Sequence, residues 1–344
     1  MQRILQKHIK TLKKIENMEY LNIPGNSIIK TEISQLGLGT MRMPANKDEG
    51  IRAIHTALDA GINFINTGDF YDAGLSEILV GEALKGRKRD DTFVSVKFGG
   101  MLKADGGMYG IDSRPELIET YLTYSLKRLG LDYIDLYQPC RINPHVPVED
   151  TIGAISRLVE KGFVRTIGIS EVDATTLRRA NATHPISLVE VTYSLMGRKI
   201  EDELLPTARE LGIGVVGFGV LLSGMIGGSN PNSKLDHIKH MVSGSTLENF
   251  NQNLSLSDAL EEIAKEKGAT LSQLAIAWVM SQGKDIMALV GSRTPEQVQN
   301  ALKAVDLTLT QEDLERIEKI IPKENAKSDY MPAMNLAENG LFKW

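Results

Sequence analysis

Cysteine is almost absent from this chain, since Cys140 is the single one among 344 residues. One thiol excludes an internal disulfide and any metal site built from several cysteines. The 6 histidines show no paired spacing on one helix face, so no metal site is predicted. A chain without disulfides fits a reducing environment, and we expect a cytoplasmic location.

The chain also lacks a net positive charge and long apolar runs. The chain has 39 Lys and Arg against 44 Asp and Glu, and its net charge of -5 gives no basic surface for nucleic acid. The longest apolar runs, such as IGVVGFGVLL at 213–222, are too short and too rich in glycine to span a bilayer. The sequence therefore predicts a globular protein with neither nucleic acid nor a membrane as partner.

What the chain does contain is an alternation of short apolar runs and longer segments with helical periodicity. The predicted strands are 33–38, 62–65, 92–96, 133–137, 164–169, 187–191, 214–218 and 286–290. The predicted helices are 49–60, 75–84, 114–129, 148–160, 174–180, 202–211, 257–266, 271–281 and 295–304.

Eight strand-then-helix units predict an α/β fold, a (β/α)8 TIM barrel with long loops at the C-terminal face. A doubly wound sheet is the alternative, but the composition shows no break between two halves. We expect residues 1–25 to be an N-terminal extension, with Met18 as a second possible start, and residues 26–344 to form one barrel domain including the C-terminal tail. The polar segment 222–256 is predicted to be a lid or binding loop.

Active sites of such barrels lie at the C-terminal ends of the strands. The second predicted strand is followed by Asn66, Asp69 and Tyr71, and the third by Lys97. An ammonium beside a tyrosine would lower the pKa of the hydroxyl and help it donate a proton. The alternative is that Tyr71 packs at the rim while Lys97 is a solvated surface lysine.

Five stretches in order resemble the aldo-keto reductase superfamily, over residues 33–304. They are FINTGDFYDAGLSEILVGEAL, VSVKFG, IDLYQPCRINPHVPVEDTIGAI, GFVRTIGISE and LVGSRTPEQVQNAL. The resemblance implies a barrel enzyme that reduces small-molecule carbonyl substrates, aldehydes or ketones, with NADPH. It also fits the lack of a Gly-x-Gly-x-x-Gly motif, which this family does not use.

The family's catalytic set is Asp, Tyr, Lys and His, and this sequence matches it at Tyr71 and Lys97. Asn66 stands in the place of the aspartate and Cys140 in the place of the histidine. We expect the neutral Asn66 to leave Lys97 with a lower pKa than an aspartate at this position would, unless Asp69 substitutes. Loss of one positioned acid–base group reduces the rate by roughly 10²–10⁴, so we expect either a slow enzyme or one that has changed its chemistry.

Cys140 allows two interpretations. Arg141 beside it would lower the pKa of a reactive, oxidant-sensing thiol. Alternatively, Cys140 is a small buried residue at a position where histidine is dispensable. The first interpretation belongs to an alternative function, an NADPH-binding regulatory or redox-sensing protein with weak catalysis.

The resemblance also implies a set of cofactor-binding residues at the ends of the later strands. Ser170, Glu171 and Glu190 would hold the nicotinamide carboxamide, and Tyr193 would stack on its ring. Gly219, Leu221, Ser223 and Gly224 would face the pyrophosphate. Ser292 and Arg293 would bind the 2′-phosphate, with Gln297 and Asn300 at the adenine, although Arg293 would also fit as a surface arginine beside a helix. The loop 99–112 and the tail residues Phe342 and Trp344 are expected to shape the substrate pocket.

Overall fold

Eight parallel strands close into a barrel in the computed structural model, which describes residues 17–22, 32–44, 46–222, 258–326 and 341. The strands pair in chain order, and the last pairs with the first. This arrangement confirms the predicted (β/α)8 barrel. The strands are β1 Leu36–Gly39, β2 Phe64–Gly68, β3 Phe93–Phe98, β4 Ile134–Pro139, β5 Val164–Ser170, β6 Ile186–Thr192, β7 Gly214–Phe218 and β8 Ile286–Gly291.

Helices follow the strands close to the predicted positions. They are α1 Lys47–Asp59, α2 Leu75–Leu84, α3 Pro115–Leu129, α4 Val148–Glu160, α5 Ala174–Thr183, α6 Leu204–Glu210, α7 Leu271–Ser281, α8 Pro295–Leu302 and α9 Gln311–Ile320. Residues 258–266 are also helical, and α9 was not predicted. In the described ranges no helix combines the length and the apolar character that crossing a bilayer requires.

An N-terminal hairpin covers the end of the barrel opposite the strand C-termini. The predicted strand 33–38 is divided at Gln35, because Glu32–Ser34 pairs antiparallel with Tyr20–Asn22 before β1 begins. Leu21 and Ile33 of this hairpin pack into the barrel cluster. The domain boundary at residue 25 stays a prediction, although the strand before it pairs with the strand after it.

A second hairpin lies at the opposite, C-terminal face and was not predicted within the loop 99–112. It pairs Gly100–Leu102 with Met108–Ile111, and Leu341 forms an antiparallel bridge to Gly110. Gly99 starts the hairpin at φ 90°, where a Cβ would lie 2.2 Å from the carbonyl oxygen of Asp112. Only glycine fits this close approach. Phe342, Trp344 and residues 223–256 of the predicted lid lie outside the described residues.

The barrel interior changes from apolar to polar along the strands. Side chains of one strand face the interior at every second position. The lower positions carry the apolar cluster Phe64, Phe93, Leu136, Leu188, Val216, Met287 and Leu289. Two residues further along β2, β3, β4 and β6, the interior positions are Asn66, Ser95, Gln138 and Glu190. Lys97 lies two residues beyond Ser95 on β3. We call Asn66, Ser95, Lys97, Gln138 and Glu190 the polar layer.

Candidate active site

The polar layer is one hydrogen-bonded network around the ammonium of Lys97. Lys97 Nζ forms an ion pair with Glu190 Oε1 and donates to Asn66 Oδ1 at 2.8 Å. The other Glu190 oxygen accepts from Asn66 Nδ2 at 2.7 Å and from Gln138 Nε2 at 2.6 Å. Both amide groups also donate to Ser95 Oγ. Because all five side chains are almost completely buried, these contacts act without competition from water.

Lys97 keeps its positive charge in this setting. Burial lowers the pKa of Lys97, but Glu190 and Tyr71 raise it by more, so the net pKa lies above the ordinary value. That an aspartate at residue 66 would raise this pKa further stays a prediction. The carboxylate comes from β6 instead of β2, and Lys97 is not the solvated surface lysine of the alternative interpretation.

Tyr71 follows β2 on a short 3-10 turn, Tyr71–Gly74, in which Asp72 and Ala73 have positive φ angles of 48° and 54°. Its ring centre lies 5.2 Å from Lys97 Nζ, and its ring makes a T-shaped contact with Phe70. Burial raises the pKa of Tyr71, and the nearby Lys97 ammonium lowers it by less. The prediction of a lowered pKa is therefore wrong in its net direction, because desolvation is the larger effect.

Asp69 does not take the place of the missing aspartate. Its Oδ2 accepts a hydrogen bond from the backbone N–H of Gly99 at 3.3 Å, and in the described part of the chain its buried Oδ1 has no partner. Burial raises the pKa of Asp69 to about 7, against the lowering effect of the Gly99 N–H; Glu77 raises it further, and Arg128 lowers it. Asp69 is therefore separate from the polar layer. It is a carboxyl group that is partly protonated at neutral pH, and it lies at the start of the hairpin formed by residues 100–111.

Cys140 lies directly after β4 and is 3% exposed. Burial raises the pKa of its thiol to about 12, although Arg141 acts in the opposite direction. The thiol is therefore protonated at neutral pH and packs with Ile111 and Phe70 as a small apolar group. This position supports the second interpretation and argues against a reactive thiolate at Cys140.

Ser170 and Glu171 lie together at the end of β5, as expected. Glu171 has a φ of 52°, and its Oε1 accepts from the backbone N–H and the hydroxyl of Thr192. Arg141 reaches the same place, with Nη1 at 3.4 Å from Ser170 Oγ and Nη2 at 3.7 Å from Glu171 Oε2. That Nη2 is buried without a hydrogen-bond partner in the described ranges, so a polar donor remains at this rim.

The predicted stacking residue, Tyr193, is not placed to cover a bound ring. It is 0% exposed, its ring packs against Trp278, and its hydroxyl donates to Glu201 Oε1 at 2.9 Å. Phe218 is better placed, because it is partly exposed at the end of β7 and its ring centre lies 6.0 Å from Lys97 Nζ. The period of two along β7, from Val216 to Phe218, would have identified it.

The remaining predicted cofactor residues lie after β7 and β8. Gly219 has a φ of 72° and begins a turn that contains the partly buried Leu221, while Ser223 and Gly224 lie outside the described residues. Ser292 is buried and Arg293 is exposed. Gly219, Leu221, Ser292 and Arg293 follow the C-terminal ends of β7 and β8 and therefore lie at the same barrel face as the polar layer.

Gln297 and Asn300, which are predicted to lie at the adenine, form hydrogen bonds with other residues of the protein. Gln297 accepts from the backbone N–H of Arg293 at 2.8 Å and so orders the start of α8. The side chain of Asn300 accepts from Gln273 at 2.8 Å and donates to Ser272 at 3.1 Å. Asn300 therefore joins α8 to α7, and its place at the adenine stays a prediction.

The sequence matches the Aldo/keto reductase family over residues 35–322. It is 36% identical over 305 residues to probable aldo-keto reductase 1 from Glycine max, covering 85% of this chain and 86% of that protein. The fold is similar to the glycerol dehydrogenase from Gluconobacter oxydans, with a TM-score of 0.78, 27% identity and coverage of 93% of this chain and 99% of that chain. An aldo/keto reductase from Klebsiella pneumoniae, solved with NADP and acetate, gives a TM-score of 0.68, 24% identity and coverage of 85% and 93%. This chain therefore belongs to the aldo/keto reductase family of oxidoreductases, and the predicted family is confirmed.

Proposed function

We propose that this protein reduces aldehydes or ketones to alcohols with NADPH, and that Tyr71 donates the proton. The observation that carries the proposal is the placement of a protonated tyrosine beside a buried, charged lysine at the mouth of the barrel. Small carbonyl compounds are the substrate class that this pair serves, because their oxygen gains negative charge when the carbon is reduced. The cytoplasmic location stays a prediction.

The opposing effects on Tyr71 suit a proton donor. Because burial raises its pKa, the hydroxyl is protonated at neutral pH and ready to donate. Because Lys97 lies beside it, the tyrosinate left after donation is stabilised by a positive charge. The proton passes from Tyr71 Oη to the carbonyl oxygen, and Lys97 keeps its own proton.

The residues at the rim fit the proposed cofactor. NADPH, when bound, would supply the hydride that adds to the carbonyl carbon. The partly exposed ring of Phe218 offers an apolar face. Arg141 Nη2 lies 3.7 Å from Glu171 Oε2 and makes no hydrogen bond in the described ranges, so it offers a donor beside Ser170. Arg293 carries an exposed guanidinium just before α8, whose N-cap is Thr294, and such a position favours a phosphate group. The bound NADP of the Klebsiella pneumoniae protein, in the same fold, gives further support.

The test is cofactor binding followed by turnover. Purified protein is titrated with NADPH and NADH by fluorescence, and absorbance loss is then followed with a panel of aldehydes and ketones. Tyr71→Phe is expected to lower kcat by roughly 10²–10⁴ and to leave NADPH binding intact, since only the positioned acid is lost. The control is Tyr124→Phe, the same change at a side chain that is 55% exposed on α3. Turnover by Tyr71→Phe at the wild-type rate would refute the assignment.

A further inference from the structure

The carboxylate that pairs with Lys97 lies on β6, whereas the family resemblance predicts it on β2. Two oxygens contact Lys97 Nζ, one from the amide of Asn66 on β2 and one from the carboxylate of Glu190 on β6. Family resemblance would place a carboxylate at residue 66 and an amide at residue 190, and would give residue 190 to the cofactor. In this chain the two functional groups are exchanged.

We propose that Glu190 is the positioning residue that fixes the charge of the Lys97 ammonium and, through it, the acid strength of Tyr71. The proposal rests on the function proposed above, and it assigns to β6 the negative charge of the catalytic group. Asn66 then links the two side chains, since it accepts a hydrogen bond from Lys97 and donates one to Glu190.

The hydrogen bonds of the polar layer agree with this assignment. Asn66 and Gln138 both direct their NH₂ groups at Glu190 Oε2, while Glu190 Oε1 faces Lys97 Nζ. An amide at residue 190 could not accept all of these bonds, because one of its two terminal atoms would itself be a donor. The side chains at 66, 138 and 190 are therefore matched to each other.

The environment of Lys97 determines the direction of the effect. Among the described residues, the titratable groups that face it are Glu190 from β6, Tyr71 after β2 and the Cys140 thiol after β4. The negative charge of Glu190 raises the pKa of both Lys97 and Tyr71. Replacing it with glutamine should therefore make both groups lose their protons at lower pH.

The same contacts argue against the cofactor role predicted for Glu190. Both of its oxygens already accept bonds within the polar layer, and the residue is 1% exposed. We therefore expect Glu190→Gln to change kcat and its pH profile more than the KM or Kd for NADPH. A carboxamide-binding role would give the opposite pattern.

The experiment compares Glu190→Gln, Asn66→Asp and the double variant Asn66→Asp/Glu190→Gln with the wild type. NMR of protein with 13C-labelled lysine, with the Lys97 signal assigned by Lys97→Met, follows the charge of Lys97 directly against pH and requires no turnover. The pH profile of carbonyl reduction is measured on the same samples. Glu201→Gln serves as the control, because it removes a partly buried carboxylate that is paired with Arg198.

In Glu190→Gln we expect Lys97 to deprotonate at lower pH and the alkaline limb of the kcat–pH profile to move to lower pH. We also expect kcat to fall on the order of 10²-fold. The double variant should restore both the titration and the limb, because it returns a carboxylate to contact with Nζ. An unchanged Lys97 titration in Glu190→Gln would overturn the proposal. If Glu190→Gln does not fold, the double variant decides. A folded double variant in which Lys97 titrates as in the wild type would support the proposal. A folded double variant in which Lys97 deprotonates at lower pH than in the wild type would overturn it.

The two proposals can fail separately. A wild-type protein that binds no NADPH or reduces no carbonyl compound would refute the proposed function, while the NMR titration would still decide the role of Glu190. Normal turnover with an unmoved Lys97 titration would refute only the present inference.

Discussion

The partly buried carboxyl of Asp69 predicts a stability that decreases as pH rises through the weakly acidic range. Its pKa is raised from 3.8 to about 7 in the folded protein, mainly by burial. Between these two values the folded state holds a proton that the unfolded state has lost. Folding is therefore progressively disfavoured from pH 3.8 to about 7 by this group.

The substitution Asp69→Asn removes this titration and keeps the size of the side chain. A pKa difference of this size corresponds to ~4 kcal/mol as an upper limit, and partial exposure of Asp69 reduces the expected gain to ~2 kcal/mol. We expect the variant and the wild type to have similar free energies of unfolding near the lower end of this range. Near neutral pH the variant should be more stable, because the wild-type carboxyl is then ionised without a full set of partners.

The assay is urea unfolding, followed by the fluorescence of the buried Trp278, at several pH values across this range. Asp132→Asn, the same chemical change at an exposed position, corrects for the loss of one carboxyl from the chain. A stability difference between Asp69→Asn and the wild type that is constant with pH would refute the reasoning, because the folded state would then hold no extra proton.

Two further predictions concern the cofactor and the polar layer. Arg293→Ala should weaken NADPH binding about tenfold, because it removes a charge-assisted contact to the 2′-phosphate worth roughly 1.5 kcal/mol, and it should leave NADH binding unchanged. An equal loss of affinity for both cofactors would contradict the 2′-phosphate assignment. Gly168→Ala should reduce kcat and destabilise the fold by ~1–3 kcal/mol, because the new Cβ would lie 3.0 Å from Gln138 Oε1 and press on the polar layer. Gly153→Ala on α4, where the nearest atom is 4.0 Å away, is the control, and equal effects at both glycines would show that the polar layer is not involved.

The barrel could be predicted from the sequence because each strand and helix has its own local pattern. Helix starts are also local, as at Thr270, which forms a capping box with Gln273. Tyr71 and Lys97 could be placed at one face because parallel strands bring their C-terminal ends together. These features depend on neighbouring residues and on a topology that repeats.

The partners of those residues could not be predicted in the same way. Glu190 meets Lys97 across the barrel, 93 positions along the chain, and nothing local to either residue indicates that contact. The raised pKa values of Tyr71 and Cys140 depend on burial, which the sequence does not specify at the end of a strand. Tyr193 was implied by the family resemblance, whereas the alternation of β7 indicates Phe218.

The N-terminal hairpin determines how protons reach the interior of this protein. Leu21 and Ile33 close the lower opening, and the layer above them contains Phe64 and Phe93, whose rings stack 5.5 Å apart. These side chains offer no chain of hydrogen-bonding groups along which a proton could travel. In the described part of the chain this end therefore offers no proton path, and under the proposed function Tyr71 would regain its proton through the opening by which a substrate enters. Whatever covers that opening during a reaction also isolates Tyr71 from bulk solvent, so reprotonation and product release are expected to occur in the same open state.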